Sequence, residues 1–228
     1  MVNCMIEGYA EYGRFGESYG CFVRMKEEGL KPNETTFVCV SKAVIGLKDL
    51  EKAMLLYEEL VSNNVTNVIS LNCMIQMFSR CGDIETAKRV FKKVKYPNVR
   101  TWTTMINALE EHNLFDESYE CYIEMKRQRI NPNETTFVCL SKTLSALGDL
   151  EKAKSLYQEL LASGLSDTIT LNSMIHMFSK CGDLKTAKLI FLNIRNKNVV
   201  SWTIIIEAMT YHCKFEESYQ YYLEMKKQ

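Results

Sequence analysis

The sequence repeats itself at an interval of 100 residues, and this feature limits the folds available to it. The run NETTFVC occurs at 33–39 and 133–139, DLEKA at 49–53 and 149–153, and CGD at 81–83 and 181–183. In an ungapped alignment of 1–128 with 101–228, nearly half of the positions are identical. A fixed repeat indicates a stacked array whose units share one continuous core. The divergence between the copies is typical of a natural array.

Each 100-residue unit contains shorter repeats that predict helix pairs. Within 68–98, apolar residues recur at helical spacing, first at Leu71, Met74, Ile75 and Phe78 and then at Ile84, Ala87, Val90 and Phe91. Between these stripes, Gly82 can adopt the left-handed conformation that ends a helix, and Asp83 can cap the next one. No stretch alternates apolar and polar residues as a strand does. The predicted fold is all-α, a right-handed α–α superhelical solenoid of about seven helix-turn-helix repeats.

The composition excludes several classes of function. Lys plus Arg and Asp plus Glu both number 28, so the zero net charge excludes an indiscriminate polyanion binder. The nine cysteines include no C-x-x-C pair, and only three histidines accompany them, so we predict no metal and no cofactor. We expect the dispersed cysteines to be small buried apolar residues in a reducing compartment. Phosphate-binding and nucleophile motifs are also absent, so we predict no catalysis by this chain.

Two further expectations concern membranes and the chain ends. No apolar run reaches the roughly 18 to 20 residues of a membrane helix, so we expect no membrane partner. The first residues carry neither a signal peptide nor a transit segment, so we predict no targeting peptide in this chain. Met1 and Gln228 fall inside the first and last repeats, so we expect a piece of a longer array, with any catalytic tail outside it.

The phasing of the repeats resembles the pentatricopeptide repeat family, specifically its subfamily with alternating P, L and S motifs. The resemblance is carried by VRTWTTMI at 99–106, EMKRQRINPN at 124–133, LNSMIHMFSKCG at 171–182 and NVVSWT at 198–203. The implied P motifs are 1–33, 99–133 and 199–228; the L motifs are 34–67 and 134–167; the S motifs are 68–98 and 168–198. Tetratricopeptide repeats are an alternative of similar length, but their W-x₂-L-G-x₂-Y signature is absent.

The resemblance implies binding of single-stranded RNA, with one nucleotide per motif selected by the fifth and last residues of that motif. Short polar side chains repeated along a surface can hydrogen-bond the edges of splayed bases. The implied pairs are Asn3 with Asn33, Asn72 with Asn98 and Asn172 with Asn198 for pyrimidines, Thr103 with Asn133 for adenine, and Thr203 for a purine. Val38 with Asn67 and Val138 with Asp167 discriminate weakly. The expected preference is 5′-pyrimidine, any, pyrimidine, A, any, pyrimidine, purine-3′.

Two further sets of residues are implied to contact RNA. The second residue of each motif resembles the family's clamp between adjacent bases, a role assigned here to Ile69, Arg100, Ile169 and Val200. A polar ridge on each S motif ends in a cation, which suits a phosphate contact beside a base contact, at Arg80 and Lys180. Glu11 and Glu111 occupy the corresponding position elsewhere and should weaken phosphate attraction. Without the resemblance, periodicity alone favours solvated faces for such ridges and packing between repeats for the aliphatic residues.

Two functional hypotheses follow. In the first, the chain is a specificity module for organellar RNA processing or C-to-U editing, as family resemblance implies. A deaminase or other editing factor would then be a separate domain or protein partner, and the location would be a mitochondrion or plastid. In the second, the chain is a protein-interaction scaffold that binds a peptide or partner helix.

Overall fold

The computed structural model describes residues 2–227, which form fourteen α-helices and no strand. The all-α prediction is therefore confirmed for the described residues. The helices are α1 Val2–Glu11, α2 Phe15–Glu27, α3 Glu34–Leu47, α4 Leu50–Ser62, α5 Val68–Arg80, α6 Ile84–Lys92, α7 Val99–Glu111, α8 Phe115–Arg127, α9 Glu134–Leu147, α10 Leu150–Ser163, α11 Thr168–Lys180, α12 Leu184–Asn193, α13 Val199–Tyr211 and α14 Phe215–Met225.

The chain divides into two units, Met1–His112 with α1 to α7 and Asn113–Gln228 with α8 to α14. In the first unit the odd-numbered helices contact one another in succession, and α2, α4 and α6 pack against this row. In the second unit α9, α11 and α13 form the corresponding row, against which α8, α10, α12 and α14 pack. Within each unit, stacking therefore covers the apolar stripe that a helix pair cannot bury alone.

The turn between α5 and α6 forms for the reasons the sequence suggests. Gly82 has a φ of +92°, a backbone conformation that costs glycine little. The Asp83 side chain then accepts a hydrogen bond from the Thr86 amide at 2.9 Å and caps α6. Gly182 and Asp183 reproduce this turn in the second unit, with a φ of +87° and an Asp183–Thr186 distance of 3.0 Å. Both predicted roles are confirmed.

The cores of the two units reproduce the same aromatic contacts. Phe78 and Phe178 are fully buried, and each meets a tyrosine ring edge-on at 5.6 Å between ring centroids. Phe91 with Trp102 and Phe191 with Trp202 both pack at 4.9 Å. Burying each large apolar side chain contributes about 1.5–3 kcal/mol, so these rings are major stabilising contacts. The predicted stripe of Leu71, Met74, Ile75 and Phe78 is buried throughout.

Two of the three histidines join neighbouring helices at equivalent places. His112 Nε2 lies 2.9 Å from the Ser79 carbonyl oxygen, and His212 Nε2 lies 2.9 Å from that of Ser179. A carbonyl oxygen only accepts, so each ring must donate through Nε2–H, which fixes its tautomer. These rings therefore attach the turns after α7 and α13 to the ends of α5 and α11.

Candidate nucleic-acid interface

The predicted fifth residues of the motifs lie on the odd-numbered helices, but their exposure differs widely. Asn72, Thr103 and Asn172 are only 6%, 7% and 4% exposed, respectively. Asn3 on α1 is partly exposed, and Thr203 on α13 is exposed. Sequence reasoning gave no sign of this difference, because it depends on how closely the following helix approaches.

The side-chain oxygens of Asn72 and Asn172 are unpaired among the described residues. In each residue this Oδ1 atom is also buried. A buried polar atom left unpaired costs about 1–3 kcal/mol, and asparagine is also a poor residue for a helix interior. Neither asparagine therefore has an evident role in stabilising the fold. Such unsupported polar groups are typical of sites that meet a ligand.

Asn3 contrasts with these two residues because both ends of its amide are paired. Its Nδ2 donates to Asn33 Oδ1 at 3.3 Å, and Thr36 Oγ1 donates to its Oδ1 at 2.9 Å. The structure thus brings Asn3 and Asn33, the predicted pair of the first motif, into direct contact.

The two predicted threonines share a different geometry. Thr103 Oγ1 donates to the Val99 carbonyl and Thr203 Oγ1 to the Val199 carbonyl, both at 2.8 Å. This bond to the preceding helical turn uses the hydroxyl proton. The oxygen is then oriented to accept, which suits an amino group such as the N6 amine of adenine.

The last residues of six predicted motifs are also helix N-caps, a role that was not assigned to them from the sequence, and four of them are asparagines that form a capping box. In these four, each Oδ1 accepts from the backbone N–H three residues later, and each asparagine completes the capping box with the hydroxyl there, at Asn33–Thr36, Asn98–Thr101, Asn133–Thr136 and Asn198–Ser201. The signal was present as Asn-x-x-Thr/Ser before an apolar stripe. Because Oδ1 is bound to the helix, only the Nδ2 amino group can serve a base. Asn98 and Asn198 are exposed at this position.

The predicted clamp residues lie at the solvent-facing starts of their helices. Ile69, Ile169 and Val200 are 58%, 68% and 56% exposed, and Arg100 is also exposed. Their exposure argues against packing between repeats as their main role. Exposed branched aliphatic side chains at equivalent places offer apolar surface on which a base can lie.

The two predicted phosphate contacts have different surroundings. Arg80 Nη2 lies 2.7 Å from Glu111 Oε1, which also accepts from Asn107 Nδ2 at 3.0 Å. The cation predicted for phosphate is therefore already paired with a carboxylate. Lys180 Nζ instead lies 3.9 Å from the centroid of the Tyr211 ring, which carries no charge to neutralise it.

The cysteines follow their expected role in part. Cys21, Cys39 and Cys139 are buried, whereas Cys4 and Cys213 are exposed, which corrects the expectation for those two. Burial raises the pKa of the Cys121 thiol to about 12, so this thiol stays protonated and unreactive.

The described residues hold no metal cluster and no membrane helix. Within 2–227, no group of three or more His, Cys, Asp or Glu residues is placed to hold a metal ion. No helix in this range combines the length and apolar character needed to cross a membrane.

The fold and these repeated side chains define an α-helical repeat protein built from stacked helix pairs. Family models agree over nearly the whole chain: pentatricopeptide repeat-containing protein at 2–94, PPR repeat family at 97–146, and PPR repeat at 135–165, 169–199 and 200–228. The chain belongs to the pentatricopeptide repeat (PPR) family.

Curated relatives come from Arabidopsis thaliana. One pentatricopeptide repeat-containing protein is 30% identical over 227 residues, covering 99% of this chain and 33% of its own length. A second, named as chloroplastic, is 28% identical over 98% of this chain and 42% of its own length. A third, named as mitochondrial, is 29% identical over 90% of this chain and 31% of its own length. The chain thus spans only about a third of the length of such relatives.

Solved structures show the same fold. The pentatricopeptide repeat protein PPR10 in complex with an 18-nt psaJ RNA element matches with a TM-score of 0.64 and 16% identity, over 99% of this chain and 33% of that one. PPR10 from maize matches with a TM-score of 0.55 and 18% identity, over 99% and 38%.

Proposed function

We propose that this chain binds single-stranded RNA with base selectivity, one nucleotide per motif. In this proposal the motifs are P, L and S motifs with the boundaries given above, and the array is a right-handed superhelix. The chain serves as a specificity module for organellar RNA processing or C-to-U editing, in a mitochondrion or plastid. Any deaminase would be a separate domain or a protein partner.

The unpaired, buried Oδ1 atoms of Asn72 and Asn172 are the observation that carries this proposal. They occupy equivalent places in the two units, and residues 2–227 offer no hydrogen-bond partner to either Oδ1 atom. A pyrimidine edge carries both donors and acceptors, so it can satisfy an amide that turns towards it. The neighbouring N-caps, Asn98 and Asn198, have an exposed position and an Nδ2 group that their capping boxes do not use.

Two further observations support the proposed RNA binding. PPR10, which shares this fold, was crystallised with an RNA element. The exposed aliphatic side chains of Ile69, Ile169 and Val200 start the same helices that carry Asn72, Asn172 and Thr203. Base stacking contributes about 1–3 kcal/mol per base, so several such contacts give useful affinity without a basic surface.

A binding titration with RNA oligomers tests this function. We expect the oligomer 5′-pyrimidine, any, pyrimidine, A, any, pyrimidine, purine-3′ to bind more tightly than its purine-for-pyrimidine exchange. Each wrong base should cost about 1 kcal/mol, on the scale of one lost hydrogen bond. Equal affinity for both oligomers would contradict the proposed selectivity. Binding of peptides and not of RNA would instead favour the protein-interaction scaffold.

A single substitution tests how a base is selected. Thr103→Asn replaces a hydroxyl that is oriented to accept with an amide that also donates, so preference at that nucleotide should move from A towards a pyrimidine. The matched control is Thr104→Asn on the same helix, which lies outside the fifth position and should leave preference unchanged. If both variants behave alike, the fifth position does not select the base.

A further inference from the structure

Helices α11 and α13 line an open pocket of about 250 Å³ on the surface of the second unit. Four of the side chains that line it are ionisable: His176 and Lys180 from α11, and Glu207 and Tyr211 from α13. His176 and Lys180 lie one and two helical turns beyond Asn172, or about 6 and 12 Å along the helix. A nucleotide held at Asn172 is therefore within reach of the pocket through its sugar and phosphate.

The histidine in this pocket differs from the other two histidines. His112 and His212 each donate to a carbonyl, whereas His176 has no hydrogen bond or ion pair within the described chain. Lys180 likewise has no ion pair there, and its ammonium rests on the Tyr211 ring. Two nitrogen donors thus line one pocket without a fixed oxygen partner.

We propose that this pocket is a phosphodiester contact made jointly by His176 and Lys180, and that proton uptake by His176 tightens it. This inference rests on the proposed RNA binding. With His176 neutral, Lys180 and Glu207 give the pocket a net charge of zero. With His176 protonated, the net charge becomes +1, and both nitrogen donors then carry positive charge towards a phosphate.

The direction of the pH effect follows from the surrounding groups. Partial burial and the Lys180 ammonium lower the pKa of His176, and the Glu207 carboxylate partly offsets them. Charged residues of α9, α10 and α12, the other helices that pack on α11, do not line the pocket. In free protein the ring is therefore neutral near pH 7 and gains its proton below the ordinary histidine pKa of about 6.5. A bound phosphate favours the protonated ring, so RNA binding and protonation support each other.

The equivalent place in the first unit supplies a natural control. Gln76 replaces His176, Asn107 replaces Glu207 and Glu111 replaces Tyr211. There, the carboxylate of Glu111 already holds the Arg80 guanidinium. His176→Gln therefore introduces the residue that the same fold carries at Gln76. Gln76→His supplies the reciprocal variant, in which the nearby cation is already neutralised.

The experiment measures RNA affinity against salt concentration at about pH 7.5 and about pH 5.5, using the oligomer defined above. For the unaltered chain we expect acidification to tighten binding about three- to five-fold, on the scale of a partly exposed charge pair. The slope of log K against log salt should steepen by about 0.7, as for one more phosphate contact on a single strand. His176→Gln should lose both changes, and Gln76→His should gain smaller changes than His176 supplies, because Glu111 already holds the neighbouring Arg80.

A second readout follows the His176 ring itself by NMR. Adding RNA should raise the pKa of His176, and a purely structural role would not move it. An unmoved pKa, or equal pH dependence in the unaltered chain and His176→Gln, would overturn this inference. A base-dependent effect without a change in salt slope would also overturn it, because a base would then occupy the pocket. If no oligomer is bound selectively at either pH, the proposed function itself fails.

Discussion

The α5–α7 and α11–α13 contacts share one framework but surround their cations differently. Both have a capping asparagine, a buried phenylalanine, a histidine bonded to a serine carbonyl and an asparagine with an unpaired Oδ1 atom. They differ at the side chains beside the cation, where Glu111 pairs with Arg80 but Tyr211 lies beneath Lys180. Packing and recognition are thus carried by different residues of the same helices, so one can change while the other is kept.

The largest expected effect tests whether the two frameworks are equivalent. Phe78→Ala and Phe178→Ala each remove a fully buried ring, so each should lower the free energy of unfolding by about 3–5 kcal/mol. Denaturant titration of both variants measures this loss. Ile169→Ala, at a side chain that is 68% exposed, is the control and should change stability by no more than about 0.5 kcal/mol. Clearly unequal losses would show that the two units do not share one framework.

The next effect tests the different surroundings of Arg80 and Lys180. Glu111→Tyr removes the carboxylate that holds Arg80, so RNA affinity should rise and the salt slope should steepen by about 0.7. Tyr211→Glu places a carboxylate beside Lys180 and should change both quantities in the opposite direction. Fluorescence anisotropy at several salt concentrations measures them. The double variant should have the RNA affinity and salt slope of the unaltered chain. If the two changes do not offset each other, these side chains do not control phosphate attraction.

A smaller effect on stability separates Asn72 and Asn172, whose Oδ1 atoms are unpaired, from Asn3, whose amide is paired. Asn72→Ala and Asn172→Ala each remove a buried acceptor without a partner and improve helix propensity, so stability should rise by about 1 kcal/mol. Asn3→Ala breaks two hydrogen bonds and should lower it by about the same amount. Thermal melts report stability, and the oligomer titrations report the loss of pyrimidine preference that we expect at Asn72 and Asn172. Destabilisation by all three changes would mean that the amides support the fold.

How far the sequence predicts this molecule depends on whether a feature is local. Helical stripes, the Gly82 turn and the Asp83 cap follow from spacing within one helix pair, and all are present. The capping role of Asn98 is also local and was recognisable from Thr101, three residues later. The Arg80–Glu111 ion pair was not predictable, because its partners are far apart in sequence and meet only through the register between α5 and α7. The burial of Asn72 and Asn172 depends on the same kind of interhelical register.

The smallest effect distinguishes the two kinds of cation contact. Double-mutant cycles for Arg80 with Glu111 and for Lys180 with Tyr211 should each give a coupling of about 0.2–1 kcal/mol, since both contacts are partly exposed. Raising salt to about 1 M shortens the Debye length to about 3 Å, so the ion-pair coupling should fall. The Lys180–Tyr211 coupling should fall less, because its ring partner carries no net charge and also packs against the lysine stem. Equal salt sensitivity would mean that Lys180 meets a carboxylate in solution, and the contrast between the two contacts would disappear.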